Sequence, residues 1–130
     1  MATHDPASPG PTILVAEDST EQRSLYVAIL EAAGYRVLEA SDGAEAVAIV
    51  RSARPGLVLM DVTMPGTSGW NAVRVLKEDP ETMGVPIIVV TGLVGTWDRD
   101  ASIAAGADEH LSKPVSPPHL LKEVRKFLPR

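Results

Sequence analysis

"VPIIVVT", residues 85–91, is the most apolar run in the chain, and its centre, Ile87–Val90, is entirely β-branched. No polar residue alternates with these four. A strand with one wet face alternates, whereas a strand covered on both faces reads as a continuous apolar run, as central strands of parallel sheets do. The stretch therefore predicts a buried central strand. Parallel neighbours need crossovers long enough to hold a helix, so helical segments should lie on either side of it in sequence.

Both flanks supply them. Upstream, "TILVA" (12–16) is a short apolar run, and "STEQRSLYVAILEAAG" follows with Leu25, Ala28, Ile29 and Ala32 at helical spacing. Ser19 and Gln22 have the spacing of a capping box, and Gly34 stands where a helix-terminating glycine belongs. "YRVLEA" (35–40) alternates as a half-buried strand, and "DGAEAVAIVRSARPG" repeats the helical stripe through Ala46, Ile49, Val50 and Ala53, ending at Pro55. "GLVLMDVTMPG" (56–66) gives a third strand, Leu57–Met60, that runs directly into Asp61. A helix from about Ser68 carries Trp70, Val73 and Leu76 and stops before Pro80. Downstream, an Ala-rich helix spans about 96–105 and is closed by Gly106; "ADEHLS" (107–112) is the weakest strand; "SPPHLLKEVRKFL" (116–128) opens with Ser116 as N-cap and Pro117 in the first turn. Leu120, Val124 and Phe127 mark its buried face.

Five strand–helix units in succession predict an α/β fold with a five-stranded parallel sheet, doubly wound by right-handed crossovers. The 130 residues suit one domain, with residues 1–10, rich in Pro, Gly and Ser, as a flexible tail before a domain over 11–130. With 45% hydrophobic residues but only 4% aromatic, the core must be aliphatic. There is no cysteine, so disulfides and thiolate metal sites are excluded, and a cytoplasmic setting fits. The formal charge of −5 and the absence of a basic cluster argue against nucleic acid as a partner. The apolar runs are too short for a membrane span, and the N-terminus lacks the regions of a signal peptide.

In such a sheet all strands end along one edge, and ligands bind outside it. Strand one ends in Glu17 and Asp18, strand three in Asp61, strand four in Thr91, and strand five in or just before Lys113. Three carboxylates repel one another unless a cation joins them, and hard oxygen ligands suit magnesium. Asp61, on a central strand, is the best placed nucleophile, able to form an acyl phosphate. Magnesium, Lys113 and Thr91 would then serve three phosphoryl oxygens, since phosphoryl transfer needs mainly positioning and charge neutralisation. Each residue alone has a plainer reading: Asp18 as a helix N-cap, Thr91 as a strand-end threonine, Lys113 as a solvated lysine. Together those readings require coincidences on one sheet edge.

Over roughly residues 12–128 the chain resembles the CheY-like receiver domains of bacterial two-component response regulators. The matching motifs are "ILVAEDS", "LVLMDVTMPGTSGW", "PIIVVTG" and "GADEHLSKPV", in that order, with 43 residues from Asp18 to Asp61, 30 on to Thr91 and 22 on to Lys113. The resemblance implies a flavodoxin-like (βα)5 fold with strand order 2-1-3-4-5. It implies Asp61 as phosphoacceptor, Glu17 and Asp18 as the acidic pair holding Mg2+, and the backbone carbonyl of Thr63 as a further ligand. Thr91 matches the switch hydroxyl, Lys113 the phosphate-binding lysine, and Pro114 implies a cis bond after it. His110 falls on the switch position usually held by Tyr or Phe, Glu17 stands where Asp is frequent, and Ser68 replaces a common acid.

A domain of this kind takes its phosphoryl group from a sensor histidine kinase or a His-containing phosphotransfer protein. It signals to a downstream protein through the helix 4–strand 5–helix 5 face (96–105, 107–112 and 116–128), as a monomer or a phosphorylation-dependent dimer. It catalyses only its own phosphorylation and dephosphorylation. Two alternatives remain. A haloacid-dehalogenase-like phosphatase also uses an aspartyl nucleophile, but wants a second Asp two residues on, where Thr63 stands, and a cap domain. A phosphorylation-independent receiver scaffold would have no use for Glu17, Asp18, Asp61, Thr91 and Lys113 together. Trp70 and Trp97 read as packing residues, and "TGLVGT" is not a Walker-type loop.

Overall fold

The computed structural model describes residues 11–62, 69–92 and 104–129. Within them the chain alternates β1 (Thr12–Ala16), α1 (Thr20–Ala32), β2 (Arg36–Ala40), α2 (Gly43–Ala53), β3 (Leu57–Asp61), α3 (Gly69–Glu78), β4 (Ile87–Thr91), β5 (Glu109–Ser112) and a C-terminal helix, Pro117–Phe127. All four strand pairings are parallel, in the order β2-β1-β3-β4-β5. Chain order is broken once, where β1 sits between β2 and β3. The crevice that such a reversal opens lies above the ends of β1 and β3.

The continuous apolar runs are the central strands. Every residue of β3 and of β4 is buried, whereas the edge strand β2 buries only Ala40. Alternate residues feed two cores. Leu14, Val58, Met60, Ile87 and Val89 pack with Ala46 and Val50 of α2, Ala72, Val73 and Leu76 of α3, and Ala105. Ile13, Val15, Leu57, Leu59, Ile88 and Val90 pack with Tyr26 and Leu30 of α1 and with Leu120 and Val124 of the C-terminal helix. Burying such side chains contributes about 1.5–3 kcal/mol each.

Helix ends follow local chemistry. Ser19, Asp42 and Ser116 each cap a helix, their side-chain oxygens accepting the backbone N–H three residues on; such a cap contributes about 1 kcal/mol. At the end of α1, Gly34 adopts φ 97°, its N–H bonds Glu31 O at 2.9 Å, and the Tyr35 N–H bonds Leu30 O at 3.1 Å. That pair of bonds is a Schellman motif, and it turns the chain into β2. α2 ends less comfortably, with Arg54 in the left-handed region at φ 48° before Pro55.

Two expectations need correcting. The buried stripe of α1 is Tyr26, Ile29, Leu30 and Ala33, one residue out of phase with the expected Leu25, Ala28, Ile29 and Ala32; Leu25 is 59% exposed. Both sets satisfy the helical period because Leu25–Leu30 is apolar almost all round. The observed phase puts Tyr26 and Leu30 inside rather than two alanines, and so buries more apolar area. The fifth strand is also shorter than 107–112: only Glu109–Ser112 pairs with β4. Of the helix expected over 96–105, Ala104 and Ala105 are described and helical, and Gly106 follows at φ 96°. The rest of that segment, with Trp97, lies outside the described residues, as do Thr63 and Ser68.

Candidate active site

β1 and β3 are neighbours in register, with Ala16 opposite Met60, so the residues that follow each come out at the same edge. Glu17 and Asp61 are 1% and 3% exposed, while Asp18 faces solvent. One carboxylate oxygen from each of Glu17, Asp18 and Asp61 lies within 4.8 Å of the others. Across the sheet, the Lys113 N–H donates to Thr91 O at 2.8 Å, which carries the β4–β5 pairing past the strand ends. The Lys113 side chain then crosses back over the edge. Its Nζ donates to Asp61 Oδ2 at 2.8 Å, Glu17 Oε1 at 3.2 Å and Gln22 Oε1 at 2.6 Å. The Lys113–Pro114 peptide is cis.

The charge is unbalanced. Burial, followed by the contact with Asp61, pushes the Glu17 carboxyl up to about 7, against the smaller opposing pull of the Ser19 N–H. Lys113 is also shifted upward, which favours its charged form. Burial pulls its pKa down, but the bond to Asp61 and the charges of Asp61 and Glu17 outweigh that, and the net shift is upward. One ammonium thus answers three carboxylates. A hard divalent cation fits this donor set: three converging carboxylate oxygens, two of them poorly solvated, with an open side at Asp18.

Thr91 ends β4 fully buried, one residue beyond Val90, the register partner of Asp61. His110 is half-buried on β5, opposite Val89, and by register on the face that holds α2 and α3. The structure therefore brings Glu17, Asp18, Asp61 and Lys113 into one cluster, with Thr91 at the same edge and His110 one strand out. The Thr63 carbonyl lies outside the described residues.

Three neighbours of this cluster, Gln22, Arg23 and Gly69, have no site role assigned from the sequence. Gln22 completes only half of a capping box: its N–H bonds Ser19 Oγ at 3.3 Å, but its side chain goes to Lys113, and the Ser19 N–H is taken by Glu17 Oε2 at 3.0 Å. Arg23 donates to the Glu17 backbone carbonyl at 2.7 Å and to Glu39 Oε1 at 3.0 Å, tying the acidic turn to α1 and β2. Gly69 begins α3 against the backbone after β3; a Cβ there would lie 2.6 Å from Val62 Cα and 2.7 Å from Asp61 O. Only a glycine lets the helix come so close. The capping-box spacing marks Gln22 for another reason, Gly69 stands inside the motif "LVLMDVTMPGTSGW" without a stated role, and nothing local signals Arg23.

A fold of this order with acids and a lysine at its switch point defines a class, and comparison with known proteins agrees. The model of the response regulator receiver domain matches residues 13–125, and the chain belongs to that family. Protein PilH of Pseudomonas aeruginosa is 39% identical over 116 residues, covering 89% of this chain and 96% of PilH. Among solved structures, the chemotaxis protein CheY4 of Vibrio cholerae superposes with TM-score 0.86 at 31% identity, covering 92% of this chain and 99% of that one. The receiver domain of a sensor histidine kinase from Pseudomonas aeruginosa gives TM-score 0.86 at 30% identity, with 93% and 99% covered; that structure has a magnesium ion coordinated in its active site cleft. The chain is thus a receiver domain of the two-component response regulator class.

Proposed function

We propose that Asp61 accepts a phosphoryl group from the phosphohistidine of a sensor histidine kinase or phosphotransfer protein, and that the phosphorylated domain changes its affinity for a downstream protein. The observation that carries this reading is the convergence of Glu17, Asp18 and Asp61 oxygens within 4.8 Å, with the Lys113 ammonium 2.8 Å from Asp61. Glu17, Asp18 and Asp61, with the Thr63 carbonyl, would hold magnesium, which would supply neutralisation of the charge on carboxylates and phosphoryl oxygens.

The chain's own residues do the rest. An Asp61 carboxylate oxygen attacks phosphorus as the P–N bond to the donor imidazole breaks, and that electron pair leaves on the ring nitrogen. Lys113 meets one phosphoryl oxygen and so exchanges part of its present contact with Asp61 for the product. The Thr91 hydroxyl meets another. Turning Thr91 inward from β4 would alter the space beside His110 on β5, and so couple the site to the edge strand around which the partner-binding face is expected. Such a switch works only so far as the phosphoryl group binds one conformation better than the other.

The test is labelling by acetyl phosphate with magnesium. Asp61→Asn should abolish it; undiminished labelling of that variant removes Asp61 as acceptor. Hydrolysis of phosphate esters with turnover would instead favour a phosphatase.

A further inference from the structure

We infer that Gln22 is a positioning residue for Lys113. Its side-chain carbonyl takes one of the three ammonium protons and so aims the lysine across the sheet edge at Asp61. The inference goes beyond the proposed phosphoacceptor chemistry but rests on it for its kinetic consequence.

Three observations carry it. The bond from Lys113 Nζ to Gln22 Oε1 is 2.6 Å, the shortest of the three that the ammonium makes. The residue is diverted to make it: standing at the capping-box position, Gln22 leaves the Ser19 N–H to Glu17 and sends its own amide outward instead. Finally, Gln22 and Lys113 share the wall of a groove of about 430 Å³, otherwise apolar, formed by Leu25, Tyr26 and Ile29 of α1 and by Pro114, Val115 and Pro117. An ammonium with fewer than three acceptors would have to reach into that groove or out to water.

The division of labour follows from charge. Glu17 and Asp61 hold Lys113 as acids, and both are wanted by a cation and by the incoming phosphoryl group. Gln22 is neutral, and its hydrogen bonds go to Ser19 and Lys113 rather than to either acid. It is the one acceptor that keeps its bond to Lys113 throughout, so that the ammonium pivots about Gln22 rather than leaving the edge.

Gln22→Met keeps the length of the side chain and the apolar groove wall but removes the acceptor, while Gln22→Glu keeps an acceptor. The first measurement is the nitrogen-detected ammonium signal of Lys113 in metal-free, donor-free protein, which persists only when the protons are held against exchange with water. It should be present in the wild type, weakened about threefold or more in Gln22→Met and restored in Gln22→Glu. The second is the rate of labelling by acetyl phosphate at saturating magnesium, which Gln22→Met should lower roughly three- to tenfold, with the unfolding midpoint unchanged. An undiminished ammonium signal in Gln22→Met, a signal not restored in Gln22→Glu, or a labelling rate equal to wild type each overturns the inference. Because the ammonium measurement uses no phosphodonor, its failure is distinct from the failure of Asp61 as acceptor, which Asp61→Asn reports.

Discussion

Each edge of the sheet carries a half-buried lysine reaching across strands, and the two differ in what they reach. At the carboxyl edge Lys113 meets two carboxylates and an amide, with the acid of Asp18 close by. At the amino edge Lys77 of α3 meets one carboxylate, Asp108 at 2.7 Å, and two carbonyls, Met83 O at 3.1 Å and Val85 O at 2.8 Å. Asp108 is further held by the Ile87 N–H at 2.8 Å. The amino edge is balanced one charge to one, and its groups serve to join α3, the start of β4 and the approach to β5. The carboxyl edge keeps a surplus of negative charge that costs stability in the absence of a cation. Balanced polar clusters hold a fold together; unbalanced ones mark where something else is meant to bind.

The largest effect that would test this contrast concerns backbone approach. Gly69→Ala forces a Cβ to within 2.6 Å of Val62 Cα, against backbone that cannot swing aside. It should destabilise the domain by roughly 2–3 kcal/mol in urea unfolding. Gly84→Ala, at the opposite edge and with nothing within 4 Å of the added atom, should stay within about 0.5 kcal/mol of wild type. Equal costs would mean that the packing of α3 onto the Asp61 turn is not tight.

Next come the two lysines. Lys77→Met should cost about 1–3 kcal/mol, because it strands Asp108 and two carbonyls, and should leave magnesium affinity unchanged. Lys113→Met should also destabilise the metal-free protein, but magnesium should recover that loss. For the wild type, magnesium at 100 times its Kd should add about 2.7 kcal/mol, and chelation should remove it. Asp61→Asn should shrink this gain. Calorimetry with and without chelator reads all of these, and a Lys77→Met variant with altered metal affinity would erase the distinction between the edges.

The same distinction explains what could be read from sequence. Apolar runs without alternation identify β3 and β4 because their burial is a property of each residue in turn. The site acids and Lys113 are legible because strand ends share an edge in any parallel sheet. By contrast, β5 is held by pairing with β4, a tertiary effect that four residues, Glu109–Ser112, do not advertise. The phase of α1 was ambiguous because Leu25–Leu30 is apolar almost all round. Asp61 has no ion-pair partner nearby in sequence; Lys113 lies 52 residues away, and Gln22 reaches the same lysine across 91. Separations of that size carry no local pattern, so contacts such as Arg23 to Glu17 O emerge only from the folded chain.

The smallest expected effect lies away from both edges, on the C-terminal helix, where a third carboxylate–lysine contact tests whether balance alone makes a cluster inert. Glu123, almost buried, lies 2.8 Å from Lys126 and 3.7 Å from His119. Its carboxyl is held below the ordinary range by the Lys126 bond first, against some desolvation, and then by the charges of Lys126, His119 and Lys122. A depressed carboxylate binds fewer protons folded than unfolded. Its contribution is therefore complete above the ordinary glutamate range and is lost as pH falls through the lowered folded value. Because Lys126 is solvated, the contribution is small. Melting curves of wild type and Glu123→Gln should thus differ slightly near neutral pH and converge in acid, with magnesium affinity the same in both. A difference that grew as pH fell would reverse the sign of the coupling. A change in metal affinity would show that this helix, despite its balanced charges, communicates with the unbalanced edge.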